Sequence, residues 1–343
     1  MEKKKKNYKK ILIITACVIV AVVGSVVLCA YNLLDKINHV PLVHESEETE
    51  NPNIKPTELT PEDLGVSEDI PRYEETGVVN VLLFGLDGTE EGERSRSDSI
   101  MIATLDGKHK KIKLTSLMRD TYVYIPGRGE NRINAAYAFG GPALAIRTVN
   151  ENYNMDIQKY VTVDFFSLEK IIDELGGVDI YVKDYEVKPL NGIIRSLNNL
   201  NKGKECSPLI EKPGMHRLNG RQAVAYARIR KVGNSDFERT DRQRAVLKSL
   251  IKEGSSMELW EIPSILSAVF PEVQTNFTKN EILKYGYTAL ESAKNDVEEL
   301  RLPYEDTYED QMIREMAVLV PDMEKNREIL HEFIYEEDFN IWE

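Results

Sequence analysis

Residues 221–244, RQAVAYARIRKVGNSDFERTDRQR, hold six arginines and one lysine against three acids in a chain whose formal net charge is −13. Guanidinium forks bind carboxylate or phosphate oxygens through paired hydrogen bonds, so arginine gathered against the prevailing charge points to an anion. Asn219 carries a helix-start signal for NGRQAVAYARIR, which ends on Arg228 and Arg230. After a glycine-containing turn, Asp236 is placed to cap a second helix whose stripe of Arg239, Gln243, Val246 and Leu250 faces the core. An arginine on such a stripe must be paired, because an isolated buried charge is too costly to keep. Arg221 and Arg244 read as ordinary surface charges, and Arg242 stands between the two groups. The plainer alternative is that Asp236, Glu238 and Asp241 neutralise these arginines as structural ion pairs.

A second charged group lies upstream, in FGLDG (Asp87), RSRSD (Arg96, Asp98) and RD (Arg119, Asp120). VVNVLLF (78–84) is apolar on both alternating faces, as in a central strand covered on both sides. SIMIATL and IKLTSLM flank a polar turn containing Asp-Gly, which predicts an antiparallel hairpin. The start of its first strand then lies beside the end of its second, so Asp98 meets Arg119. If 78–84 neighbours that hairpin, Asp87 joins the same edge. Two carboxylates facing several arginines at strand ends suit a phosphorylated ligand and a hard divalent cation. The combined pattern reads as a diphosphate clamp.

The elements that must carry these residues follow from periodicity. From about Thr76, apolar strands alternate with amphipathic helices, which argues an α/β domain. INAAYAFGGPALAIRTVNENY reads as two helical pieces broken at Gly140, Gly141 and Pro142. YVTVDF and VDIYV read as strands, FSLEKIIDELGG as a helix, and 188–220 as a loop able to cover a site mouth. At least three further helical stretches are expected in the C-terminal third. Tyr122, Tyr124 and Tyr137 read as core or rim aromatics rather than a sugar platform.

Residues 1–10 contain six lysines and one glutamate, and Ile11–Ala30 carries no charge. Twenty apolar residues span about 30 Å as a helix, the thickness of a bilayer core. The expected layout is a cytoplasmic basic tail (1–10), an uncleaved transmembrane signal anchor (11–31), an acidic stalk (32–75) and an extracytoplasmic domain (76–343) with a C-terminal helical extension. Of three cysteines only Cys206 lies beyond the apolar run, so no disulfide within the domain is expected. The histidines lack metal-ligand spacing, and there is no G-x-S-x-G motif and no P-loop lysine. An acidic external domain without a nucleic-acid-binding motif excludes nucleic acid as the phosphate source.

The segments VLLFGLD, RSDSIMIATLD, LTSLMRDTYVYIPG, RINAAYAFGGP, GGVDIYV, LNGRQAVAYARIR and DFERTDRQR, in this order over about residues 79–250, resemble the LytR-CpsA-Psr family of Gram-positive cell-envelope proteins. The resemblance implies an α/β/α sandwich around a central mixed sheet, with an apolar tunnel for a prenyl chain. It implies a phosphotransferase that moves an anionic glycopolymer, wall teichoic acid or capsular polysaccharide in class, from a polyprenyl-diphosphate carrier to peptidoglycan. By motif, Asp87 and Asp98 correspond to ligands of Mg2+ (or Mn2+). Arg96, Arg119, Arg228, Arg230, Arg239 and Gln243 correspond to the diphosphate contacts, and Arg132 stands where the family often has lysine. Asp236 and Asp120, beside Arg119, are the candidates for the base. With water as acceptor the same clamp would make a polyprenyl-diphosphate phosphatase. Without chemistry it would be a lipid- or glycopolymer-binding or regulatory protein. Expected partners are therefore the lipid-linked glycopolymer, peptidoglycan and membrane lipid.

Overall fold

A computed structural model describes residues 33–44, 57–67, 70, 76–87, 97–200, 205–230, 232–233, 235–258 and 260–336. The basic tail and the anchor at 11–31 lie outside these residues. No helix among the described residues is long and apolar enough to cross a membrane.

The strands are β1 (Asn38–His39), β2 (Val78–Leu86), β3 (Ser97–Asp106), β4 (Lys111–Leu117), β5 (Tyr122–Ile125), β6 (Gly129–Arg132), β7 (Lys159–Asp164), β8 (Val178–Val182), β9 (Gly214–Leu218), β10 (Gln274–Thr275), β11 (Glu298–Leu302), β12 (Tyr308–Ile313) and β13 (Met316–Pro321). The helices are α1 (Ala135–Tyr153), α2 (Phe165–Glu174), α3 (Asp184–Leu200), α4 (Gly220–Ala227), α5 (Ser235–Ser255), α6 (Ile262–Val269), α7 (Lys279–Ser292) and α8 (Met323–Tyr335). A seven-stranded mixed sheet in the order β1-β10-β7-β2-β3-β4-β11 organises the domain. The expected hairpin is present, with Met101 opposite Ser116, and β2 pairs antiparallel with β3. VDIYV is a strand but pairs with β9 outside the main sheet.

The two faces of the sheet are filled differently. On one, Leu82, Phe84, Ile100 and Ile102 are fully buried against α1 and α8. Phe84 stacks on Tyr137 at 4.8 Å, so that tyrosine is core, whereas Tyr124 is 52% exposed. On the other face, Leu247 and Ile251 of α5 and Ala293 cover Ile112 and Leu114 of β4. Toward β2 and β7 that cover thins, and Val81, Leu83, Val161 and Val163 remain half-buried. The second face thus keeps a strip of half-buried apolar side chains along the centre of the sheet.

Three expectations are corrected here. Residues 188–220 are mostly not loop: α3 places Leu190, Ile194 and Leu197 at helical spacing on a buried stripe, despite Pro189 and Gly192, and β9 follows. The polar Asn-, Gly- and Pro-containing sequence hid that stripe. The stalk does not extend over 33–44 and 57–67. Leu42, Leu64 and Val66 are buried there, and β1 joins the sheet beside β10. Arg221 and Arg244 are not surface charges. Arg221 is 3% exposed on Glu169, and Arg244 is 7% exposed, bonded to Glu299 and Ser116. Arg242 joins them, held by buried Glu186 and by Glu238.

The break in α1 falls where it was predicted, at Gly140 and Gly141, the latter at φ 63.

Candidate active site

The site forms where β2, β3 and β4 meet the loops around α4 and α5. The β2–β3 register slips by one between Gly85 and Leu86: Gly85 faces Ser99 but Leu86 faces Ser97. Asp98 is the extra residue of this bulge, a device that re-aims a side chain. Continued past Met101 and Ser116, the β3–β4 register puts 98 opposite 119. Arg119 Nη1 donates to Asp98 Oδ1 at 2.9 Å, and Arg230 Nη2 donates to Asp98 Oδ2 at 2.5 Å. Asp87, next after β2, accepts from Arg228 Nη2 at 3.0 Å.

Arg228 and Arg230 are delivered by α4. Asn219 accepts from Gln222 N while Gln222 reaches back to the Asn219 N–H, a capping box that fixes the helix start. Gly220 sits so close to α2 that a Cβ there would lie 1.9 Å from the Glu169 carbonyl oxygen. The Arg228 guanidinium lies 4.7 Å from the Phe165 ring centroid, a cation–π contact that braces it. Sequence reasoning missed Phe165. Its signal was position, as the first helical residue after a strand ending at the same sheet edge.

Arg239, Gln243 and Asp236 come from α5, where Asp236 falls in the first turn rather than at the cap. Arg119 Nη2 donates to Asp236 Oδ2 at 3.3 Å, and Arg239 Nη1 lies 3.1 Å from Asp236 Oδ1. Arg239 is 2% exposed, yet its Nε and Nη1 make no hydrogen bond. Burial and the like charge of Arg119 depress its pKa to about 10. Gln243 is half-buried one turn further on. Arg132 is tied to Asp120 at 3.2 Å and donates to the Ala317 carbonyl at 2.7 Å, so it braces β6 against β13 while flanking the site. Arg96 lies outside the described residues.

Asp120 and Asp236 are neighbouring carboxylates that share Arg119, at 3.5 and 3.3 Å. Burial pushes Asp120 up, against the pull of Arg119 and Arg132, and the nearby Asp236 carboxylate adds to the rise. Burial opposes ionisation of Asp236 too, but Arg239 and Arg119 hold it below the usual carboxylate range. For Arg119, burial works downward while Asp236, Asp120 and Asp98 hold it above its ordinary value.

The structure therefore brings together Asp87, Asp98, Arg119, Asp120, Arg132, Arg228, Arg230, Asp236 and Arg239, from segments more than a hundred residues apart. Asp87 and Asp98 offer only oxygen donors, the set a hard cation prefers. Among the described residues, the one cluster of three metal-ligating side chains, Asp106, His109 and Glu336, includes the far end of β3 from Asp98. Lys111 and Lys113 already hold its Glu336 at 2.7 and 2.8 Å.

A buried guanidinium with orphaned donors, beside further arginines and closed by carboxylates, thus sits at the strand ends of an α/β domain with a central mixed sheet. The sequence profile of the LytR_cpsA_psr family matches residues 39–332, and the chain belongs to that family. It is 35% identical over 237 residues to the regulatory protein MsrR of Staphylococcus aureus (strain COL), covering 68% of this chain and 67% of MsrR. It is 35% identical over 226 residues to the polyisoprenyl-teichoic acid–peptidoglycan teichoic acid transferase TagV of Bacillus subtilis (strain 168), covering 63% of this chain and 55% of TagV. Its fold matches the LytR-CPS2A-psr family protein YwtF (TagT) with bound octaprenyl pyrophosphate lipid. That match has a TM-score of 0.56 at 25% identity, over 86% of this chain and 99% of the other.

Proposed function

We propose that the protein transfers an anionic glycopolymer from a polyprenyl-diphosphate carrier to peptidoglycan. The observation that carries this is Arg239, a buried cation near the like charges of Arg119 and Arg230, with Asp236 as its ion-pair partner at 3.1 Å, whose Nε and Nη1 make no hydrogen bond and which a diphosphate oxygen would satisfy. The half-buried apolar strip along β2 and β7 runs to the same strand ends and would floor a cleft for a prenyl chain. The teichoic acid transferase and the pyrophosphate-lipid complex among its relatives support the same reading.

In the proposed step, a peptidoglycan sugar hydroxyl attacks the polymer-side phosphorus in line. A P–O bond to the sugar forms, the bridging P–O bond of the diphosphate breaks, and polyprenyl phosphate leaves. The hydroxyl proton passes to one of the neighbouring carboxylates, Asp120 or Asp236. Arg119, Arg230 and Arg239 hold the phosphoryl oxygens in a preorganised field. Asp87 and Asp98 would hold Mg2+, which supplies positive charge at the diphosphate. Their present partners, Arg228, Arg119 and Arg230, are the groups a diphosphate would recruit, so anion binding releases carboxylate oxygens for the cation.

Two measurements test this. Pyrophosphate alone should raise the Tm of the full chain, and Mg2+ should raise it further only when pyrophosphate is present. An Mg2+ effect independent of the anion would sink the shared-site account. With lipid-linked glycopolymer and peptidoglycan, covalent polymer–peptidoglycan should appear together with polyprenyl phosphate. Release of free phosphorylated glycan at the same rate with and without peptidoglycan would instead establish a phosphatase. We further place the domain outside the cell, with residues 11–31 as its membrane anchor.

A further inference from the structure

We propose that α6 and α7 form a membrane-docking surface that seats the catalytic domain directly on the lipid bilayer. The inference rests on reading Ile11–Ala30 as a membrane span. It goes beyond that reading by removing the spacer and naming the face that meets lipid.

The first observation is tether length. Only Tyr31 and Asn32 separate the apolar run from Leu33, where the described structure begins. Lys36 Nζ donates to Ser267 Oγ of α6 at 2.5 Å, and Asp35 pairs with Lys279 at the start of α7. Five residues from Ala30 to Asp35 reach at most about 18 Å fully extended. Both helices are thus tied to the chain within a short reach of the bilayer. The acidic segment 45–56, which composition alone makes a spacer, lies after this attachment and cannot hold the domain away from lipid.

The second observation is what the two helices present. α6, IPSILSAV, contains no buried residue although it carries no charge, and Trp260 just before it is 75% exposed. On α7, Leu283, Tyr287 and Leu290 are 51%, 69% and 42% exposed, and at 100° per residue they fall within about 60° of one another. Exposed apolar side chains aligned on one stripe are unusual on a protein surface that meets only water. Tryptophan and tyrosine are the residues of the bilayer interface, where an apolar ring and a polar edge are both satisfied. A lipid surface is the occupant these features share with the tether.

The consequence is a route for substrate. α6 packs on α2, which follows β7, and α7 touches β3 and β4, so both helices join the sheet that would floor the prenyl cleft. A docked domain would take a prenyl chain from the leaflet into that cleft without exposing it to water.

The test uses the full chain in vesicles of phosphatidylcholine and phosphatidylglycerol. The protein has two tryptophans, so Trp342→Phe leaves Trp260 as sole reporter. Lipids brominated in the acyl chain should quench Trp260 roughly twofold or more. A tryptophan at 124 (Tyr124→Trp in the Trp260→Phe, Trp342→Phe background) lies on β5, whose neighbours Val123 and Ile125 pack in the core on the opposite sheet face, and should be unaffected. Equal quenching at both positions, or none at Trp260 while the chain still sediments with vesicles, overturns the docking and leaves the anchor standing. Protection of Trp260 from aqueous iodide without quenching by brominated lipid would mean that another protein surface covers it. Failure to sediment with vesicles removes the anchor and the docking together. None of these readouts depends on transfer activity.

Discussion

At the residue scale, Arg239 is held in a state that stability alone would not select. It is buried, partly unpaired and next to two other cations, and its depressed pKa records the cost. Arg239→Met removes a buried charge whose one ion-pair partner is Asp236 and whose Nε and Nη1 make no hydrogen bond. Its Tm should match or exceed that of the natural protein, while glycopolymer transfer falls by about 10²–10³. The Tm gain on adding pyrophosphate should vanish with it. A variant that loses stability and activity in step would show that Arg239 is a structural ion-pair partner. The same contrast separates the arginines that sequence composition grouped together. Arg221, Arg242 and Arg244 each have a carboxylate with good hydrogen bonds, and their loss should lower Tm first.

At the element scale, the site is held by contacts that lie outside it. Gly220 lets α4 approach the α2 backbone, so Gly220→Ala must push α4 away and carry Arg228 and Arg230 with it. A loss of about 1–3 kcal/mol by chemical denaturation is expected, with transfer reduced more than stability accounts for. At the other end of the sheet, the fully buried Lys113 on β4 donates to the Phe333 and Ile334 carbonyls at the end of α8 and to Glu336. Hydrogen bonds from Lys111 and Lys113 hold Glu336 down at about 2. Its folded pKa lies below the unfolded value, so it contributes stability above the ordinary glutamate range, and that contribution disappears as pH falls through about 2. Glu336→Gln should therefore lower Tm near pH 7. The gap to the natural protein should narrow steadily below about pH 4.5. A gap independent of pH would assign the effect to packing.

At the scale of the whole molecule, one sheet serves two purposes. Its α1–α8 face is a sealed core, while its other face keeps half-buried apolar side chains along β2 and β7, the floor of the proposed prenyl cleft. Val81→Trp fills that cleft from the sheet side. It should weaken binding of a long-chain polyprenyl diphosphate by tenfold or more, on the order of 1.4 kcal/mol, and leave inorganic pyrophosphate binding unchanged. Equal weakening of both ligands, measured by calorimetry, would show that the cleft does not take the lipid.

Much of this was legible from residue order alone. Alternation and turn chemistry specified β2, the β3–β4 hairpin and its edge, and from these the meeting of Asp98 with Arg119. The Asn219 helix start and the Gly140–Gly141 break were local signals with local causes. The motif set over 79–250 identified the family that the profile match shows. The sequence did not distinguish which arginines are neutralised. The plainer reading holds in part, since Arg239, Arg242 and Arg244 pair with Asp236, Glu238 and Asp241 on their own helix. What burial adds comes from afar: Glu169 on Arg221, and Ser116 and Glu299 on Arg244, are 52, 128 and 55 positions away. Helical phase describes one helix and not what packs around it. Nor could composition show that residues 33–44 belong to the sheet, because β1 is a two-residue strand recruited by β10 more than two hundred positions later. Local patterns determined the elements and the chemistry available. Only the packing of distant segments decided which buried donors are left without a hydrogen bond, as at Arg239, because partners depend on proximity in space.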